Sequence, residues 1–351
     1  MTGSLAHPRQ KLLLAADVGG THVRAGLVDP SAPHALLHYR KYACADYPGL
    51  AELLQAFLAT LPAGLRVDRG VLASAGHALE DGSVLSVNLP WPVVPRSIRT
   101  KLGLDDLRLV NDFEALAHAP AAQAHALLRL SGPQTGAAGP VLLVGPGTGL
   151  GAAIRIPDGN GRIRVLATEA GQAALAVGTE LELAVLREFQ RDRRHVPIEH
   201  ALSGPGLLRL HRALANVRGQ QPTQDSPDGI SAAATAGDDP LAHETLDLFC
   251  GLLGSASGDM ALLYGARGGV LLAGGILPKI RHFLAGSSFS QRFVDKGPMR
   301  ESMLRIPVVL VEHGQLGVIG AASWCLDQCR EKDHTGCEQP CATPDPIFVP
   351  G

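Results

Sequence analysis

Three stretches place chemically useful side chains next to turns that carry almost none. In the first, Ala16-Asp17-Val18-Gly19-Gly20-Thr21 lies between the apolar runs 12–16 and 25–28, a strand–turn–strand pattern. The Asp17 carboxylate suits a hydrated Mg²⁺. A turn without side chains lets backbone N–H groups approach an anion, Gly19 and Gly20 can take positive φ at little cost, and Thr21 adds a hydroxyl. The stretch is neither GxxxxGK[ST] nor a GxGxxG opening a helix. An ordinary hairpin turn and a phosphate site fit it equally well when it is taken alone. In the second stretch, Gly145-Pro146-Gly147-Thr148-Gly149-Leu150-Gly151 repeats the design between the runs 141–144 and 152–154. Two such hairpins, about 130 residues apart, suggest a duplicated α/β domain with a cleft between the halves, each half offering one hairpin to the same polyphosphate. In the third, the apolar strand 107–110 runs into Asn111-Asp112-Phe113, where an Ala/Leu helix begins. Ligands of open α/β sheets bind outside the carboxyl ends of the strands, which sets Asp112 at a cleft. The competing reading is that Asp112 only caps the helix.

The rest of the chain supplies elements to hold these stretches. Residues 32–42 read as a third strand and 48–61 as a helix, with Leu50, Leu53, Leu54, Phe57, Leu58 and Leu61 at helical spacing before Pro62 and Gly64. A strand at 69–75 precedes the turn-rich segment 78–94, where Asn88 could line a pocket mouth and Trp91 reads as a packed aromatic. Short helical signals follow at 97–102 and, weakly, at 123–129. Strands are expected at 163–168, 269–273 and 307–311, and an amphipathic helix at 179–189. Ser203 is an N-cap candidate before a helix at 205–214. Residues 217–239 read as polar and irregular, and 241–266 as a helix apolar nearly all round, hence buried. Residues 289–293 and 299–304 read as short helical pieces, and an Ala/Ile helix at 317–325 returns to the first domain.

Composition narrows the class. The chain has 351 residues, 46% hydrophobic and 18% charged, which describes a globular protein of two domains. A formal net charge of −2 argues against nucleic acid or an anionic membrane as partner. No apolar run reaches the length of a membrane span, and no apolar h-region follows the first charges, so a soluble cytoplasmic protein is expected. Cys325, Cys329, Cys337 and Cys341 crowd the C-terminus as C-x3-C, x7, C-x3-C. Metal sites favour C-x2-C pairs, so a loose tail with free thiols is preferred over zinc.

Taken together, Asp17-Val18-Gly19-Gly20-Thr21, Leu109-Val110-Asn111-Asp112-Phe113, 145–151, Leu202-Ser203-Gly204-Pro205-Gly206-Leu207 and Ala273-Gly274-Gly275-Ile276 resemble the bacterial glucokinase family of the actin-like sugar kinases, in order and spacing from about residue 12 to 325. The resemblance implies two actin-like (ribonuclease H-like) α/β domains, each a mixed five-stranded sheet with helices, flanking a cleft. It implies limits of 1–122 plus 313–330 for the small domain and 123–312 for the large one, with 331–351 as a disordered tail. It also implies Mg-ATP, phosphoryl transfer to the 6-hydroxyl of glucose, and a homodimer. A sugar hydroxyl is a poor nucleophile, and a carboxylate that accepts its proton helps, which makes Asp112 the candidate base. The resemblance carries sugar contacts over to Asn111, Glu169 and Glu199, with Asn88 and Gln172 beside them. It carries nucleotide contacts over to 16–21, Gly147, Thr148 and Gly149, and adenine contacts to Ser203, Gly274 and Gly275. Two places depart from the family pattern. A Glu-x-Gly-His run is here Glu169-Ala170-Gly171-Gln172, and the loop 74–82 lacks the usual proline. Both fall on the sugar side, which leaves open a kinase for another hexose and a non-catalytic sugar-binding regulator.

Overall fold

The computed structural model describes residues 11–32, 35–62, 64–78, 84–85, 89–120, 125–159, 162–312 and 314–334. The chain opens with β1 (Lys11–Val18), β2 (His22–Val28) and β3 (Leu36–Ala43), an antiparallel meander, followed by α1 (Leu50–Ala59). Then come β4 (Arg66–Ser74), the short hairpin β5 (His77–Ala78) and β6 (Val84–Leu85), α2 (Pro95–Leu102), β7 (Asp106–Val110) and α3 (Asp112–His118). β4 lies parallel to β1 and β7 parallel to β4, giving a five-stranded sheet in the order β3-β2-β1-β4-β7.

The design recurs. β8 (Ala126–Ser131) leads to the meander β9 (Val141–Pro146), β10 (Leu150–Pro157) and β11 (Ile163–Thr168). Five helices follow: α4 (Glu180–Phe189), α5 (Ile198–Ala201), α6 (Gly204–Arg218), α7 (Pro227–Ala236) and α8 (Pro240–Leu263). After them stand β12 (Gly269–Leu272), α9 (Arg281–Gly286), α10 (Phe289–Val294), α11 (Arg300–Met303), β13 (Val308–Val311) and α12 (Leu316–His334). The second sheet runs β11-β10-β9-β12-β13-β8, the first sheet's pattern with one antiparallel edge strand added. The mixed α/β architecture expected from the sequence is present, with six strands rather than five in the second sheet.

Each sheet buries both faces. In the first, Leu12, Leu14 and Leu72 pack against Leu53 and Phe57 of α1 and Ile98 of α2. On its other face Leu13, Ala15, Val71 and Val110 meet Ala115 of α3 and Val318, Ala321 and Ala322 of α12. In the second, Leu142, Val144 and Ile154 pack on α4, α6, α7 and α8. Its opposite face, Leu143, Ala153, Ala273 and Val311, meets Phe113 and Leu116 of α3 and Leu316 of α12. Helices α3 and α12 therefore lie between the two sheets. The helix α8 is long and apolar enough to cross a membrane, but 78% of its apolar window is buried within the protein.

Three of the expected elements are corrected. Residues 126–131 form a strand rather than a helix, because pairing with β13 overrides the helical preference of Ala and Leu. The segment 217–239 holds α7, started by Ser226 and Pro227 and ended by Gly237 at φ 79°. The C-terminal helix runs on to His334, and Cys325 is a core residue, so two of the four late cysteines belong to the fold and not to a loose tail. Residues 335–351, the rest of the expected tail, lie outside the described residues. Trp91 is packed as expected, its indole N–H donating to Tyr47 O at 3.1 Å.

Candidate active site

Asp17 stands at the end of β1 on the face turned towards α12, and it is buried. Its cross-strand partner Arg24 donates to Asp17 Oδ2 at 3.1 Å. On the other side α12 approaches so closely that a Cβ on Gly317 would lie 2.9 Å from Asp17 Cγ. The turn beyond Asp17 closes through Gly19 N–H on His22 O at 3.0 Å. Gly19 does not use the positive φ that the sequence suggested. Its lack of a side chain matters for space, since a Cβ would stand 3.3 Å from His22 O. Cys44, just after β3, holds the turn from the side: its N–H donates to Thr21 O at 2.9 Å and its thiol to Gly19 O at 3.3 Å. Thr21 is exposed. Ala16 and Val18 are core residues of β1, with Ala16 paired to Ala25 and Leu72, so their side chains face the interior and not a ligand.

The second hairpin is tighter. Gly147 N–H donates to Gly149 O at 2.8 Å, and Gly147 O accepts from Gly204 N–H at 2.8 Å, which joins the turn to the start of α6. Ser203 caps that helix, accepting from Gly206 N–H at 3.0 Å and donating to Glu199 O at 2.8 Å. Its hydroxyl is thus committed to the fold, and a nucleotide would meet backbone here. Gly274 sits at φ 97° beside the same turn, where a Cβ would lie 2.5 Å from Pro146 O, while Gly147 and Gly275 face open space.

Three expected sugar-side groups converge on residues 149–151. The Glu199 carboxylate accepts from Leu150 N–H at 3.4 Å, and its Oε2 lies 2.7 Å from where a Cβ on Gly149 would be. A Cβ on Gly171 would lie 2.4 Å from Leu150 O, which seats the turn 170–172 against the same strand. The Phe113 ring covers Gly151 so closely that a Cβ there would stand 1.9 Å from Cδ2. Phe113 thus anchors Asp112, its neighbour on α3, to the second hairpin. Glu169 and Gln172 bracket the turn, with Gln172 N–H donating to Glu169 O at 2.9 Å, and both are exposed.

The structure separates Asn111 from Asp112. Asn111 is the N-cap of α3, its Oδ1 accepting from Phe113 N–H at 2.9 Å and Glu114 N–H at 3.1 Å. The cap-only role weighed for Asp112 thus falls to its neighbour. With both lone pairs of Oδ1 engaged, Asn111 offers a ligand its amide Nδ2. Asp112 is half-buried at the first helical position, and its Oδ1 also accepts from Phe113 N–H at 2.9 Å. Asn88 lies outside the described residues.

Two groups escaped the sequence reading. His195 Nε2 donates to Gln172 O at 2.8 Å and so fixes the turn that carries Gln172. His200, beside Glu199, is buried with its ring edge-on to Phe189 at 4.8 Å. Burial first, then Arg209 and Arg193, lower its pKa from 6.5 to about 4. Neither carries a local signal, because each partner is distant in sequence.

Among the described residues no three His, Cys, Asp or Glu side chains gather as a metal cage. Mg²⁺ that arrives with a nucleotide keeps waters and phosphates as ligands and needs one or two carboxylates; the carboxylate at the first hairpin is Asp17, buried and paired with Arg24.

Comparisons with known proteins bear on the family and the fold. The sequence profile of the glucokinase family matches residues 14–328. A glucokinase-like protein of Xylella fastidiosa is 52% identical over 326 residues, covering 92% of this chain and 96% of that protein. A glucokinase of Saccharophagus degradans is 38% identical over 318 residues, covering 90% and 98%. Among solved structures, a glucokinase from an Antarctic psychrotroph superposes with a TM-score of 0.74 at 33% identity, covering 91% of this chain and 99% of that one. The glucokinase of Balamuthia mandrillaris, in complex with glucose, shares the fold at a TM-score of 0.72 and 21% identity, covering 89% and 92%.

Proposed function

The chain belongs to the glucokinase family, and from that premise we propose that it transfers the γ-phosphoryl group of ATP to the 6-hydroxyl of glucose, with Asp112 accepting the hydroxyl proton. The observation that carries the reading is the convergence on residues 149–151. The helix bearing Asp112, the turn bearing Gln172 and the carboxylate of Glu199 all pack on one glycine hairpin. A sugar held there has a base on one side and a turn suited to phosphate on the other.

Phosphoryl transfer asks mainly for positioning and for neutralised charge. In this reading the backbone amides of Gly20, Thr21, Thr148 and Gly149 hold the polyphosphate, since the Gly19 and Gly147 N–H groups close their own turns, and the backbone at Ser203, Gly274 and Gly275 flanks the adenine. Glu169, Glu199, Gln172 and the Asn111 amide take the sugar hydroxyls. Two carboxylates there favour a neutral polyol over an anionic substrate. Asp17 would hold Mg²⁺, which when bound neutralises phosphate charge. Lobes divided near residues 122 and 313 would close over the substrates and keep water from the phosphoryl group. A cytoplasmic homodimer completes the reading, as the family implies.

The test is a hexose panel with ATP and Mg²⁺, read as ADP release. Glucose is expected to give the highest turnover. Asp112→Asn should lower turnover by about 10²-fold or more and leave ADP binding near the wild-type value. Wild-type turnover in that variant removes Asp112 as the base. Sugar binding without turnover on any hexose would make the protein a sugar-binding regulator instead.

A further inference from the structure

The turn after β12 carries a cation, Lys279, that none of the pairings above requires. Lys279 N–H donates to Ile276 O at 3.0 Å, so 276–279 form one turn. That turn rests on the second hairpin: Ile276 Cδ1 is 3.9 Å from where a Cβ on Gly204 would be, and Gly204 N–H is bonded to Gly147 O. The ammonium reaches Asp228 Oδ1 at 2.9 Å, with side-chain exposures of 63% and 81%. An ion pair so open to water is weak and its lysine is readily re-partnered.

On the first sheet, Arg24 and Lys41 face each other on β2 and β3, with His22 two residues along the same face. Burial lowers the proton affinity of His22, and the charges of Lys41, Arg24 and, least, Lys279 act in the same direction. Arg24 and Lys41 thus bring basic groups to the first hairpin, where Asp17 is already paired with Arg24, and Lys279 brings one to the turn packed beside the second. Cations converging in a cleft concentrate an anion there.

We propose that Lys279 is a phosphate-binding residue: it leaves Asp228 and pairs with the polyphosphate of the nucleotide when ATP enters between the two glycine hairpins. The inference deepens the kinase reading and rests on it. Lysine suits the role as a compact point charge on a flexible stem that can follow the phosphate as the cleft closes.

Calorimetric titration of the full chain with Mg-ATP, Mg-ADP and adenosine tests it. Lys279→Gln is expected to weaken ATP and ADP by about tenfold or more, the loss of one charge-assisted contact. Adenosine affinity and the sugar KM should stay unchanged, and Lys279→Arg should recover most of the loss. Asp228→Asn, which removes the competing carboxylate, should not weaken ATP. Wild-type ATP affinity in Lys279→Gln overturns the proposal, as does an equal loss for adenosine, or weaker ATP binding in Asp228→Asn. A wild-type protein that binds no nucleotide would instead remove the kinase reading itself.

Discussion

His200 shows how a single side chain next to the site ties it to pH. The imidazole is buried against Phe189 and its pKa falls from 6.5 to about 4. A depressed folded-state pKa means that the unfolded chain binds the proton more readily. The stabilisation is therefore whole above about pH 6.5 and is lost as pH falls towards 4. By pH 5 the loss reaches about 2 kcal/mol. His211 acts in the same direction, since its pKa is also lowered by burial and its Nε2 accepts from Thr223 and Gln224 N–H. In urea unfolding at pH 8 and pH 5, His200→Leu should lose about 2 kcal/mol less than the wild type between the two, leaving the share due to His211. Equal pH dependence in both proteins would show that His200 is not the group that titrates. The folded protein keeps His200 neutral down to about pH 4, so the proposed sugar contact of its neighbour Glu199 should change only near that pH.

At the scale of elements, the start of α4 concentrates stability in few groups. Thr179 and Glu182 form a capping box: Thr179 Oγ1 accepts from Glu182 N–H and Glu182 Oε2 from Thr179 N–H, both at 3.2 Å. The buried Glu182 carboxylate also receives the Arg292 guanidinium of α10 at 2.8 and 3.1 Å. Thr179→Ala loses one cap, about 1 kcal/mol. Glu182→Ala leaves Arg292 with the exposed Asp295 and should cost about 3 kcal/mol or more. The double variant with Arg292→Met should fall short of the sum of its parts. A Glu182→Ala loss no larger than that of Thr179→Ala in thermal unfolding would refute this assignment. Such pairings mark the limit of what the sequence discloses. The glycine turns at 19–20, 147–149 and 274–275 were legible because local chemistry makes them, and so was the Ser203 cap. The start and stop signals of α7 were also present, masked by its polar flanks. β8 was hidden because only pairing with β13 makes it a strand. The Phe113–Gly151 contact, the His195 bond to Gln172 and the Lys279–Asp228 pair join residues far apart in the chain, and no local pattern encodes them.

For the whole molecule the decisive feature is the pair of helices between the sheets. α3 has Ala115 in the core of the first sheet and Phe113 and Leu116 in that of the second. α12 likewise has Val318 in the first and Leu316 in the second. The two helices cross in backbone contact, since a Cβ on Gly320 would lie 2.0 Å from Ala115 O. One turn earlier on α12, Gly317 backs Asp17, and the first residue of α3 is Asp112. The crossing therefore sets the distance between the group proposed for the metal and the group proposed for the proton. A methyl at Gly320 meets backbone, which cannot swing away, so Gly320→Ala must push the helices apart. Displacement of reacting groups by about 1 Å can lower turnover by roughly 10²-fold. The expected outcome is kcat lowered at least tenfold, ATP and sugar KM changed much less, and the far-ultraviolet circular dichroism retained. Gly286→Ala, where a Cβ meets nothing within 4 Å, serves as the control and should keep wild-type kcat. If Gly320→Ala also kept wild-type kcat, the two carboxylates would not depend on this crossing for their spacing, and the lobes would have to be registered through some other contact.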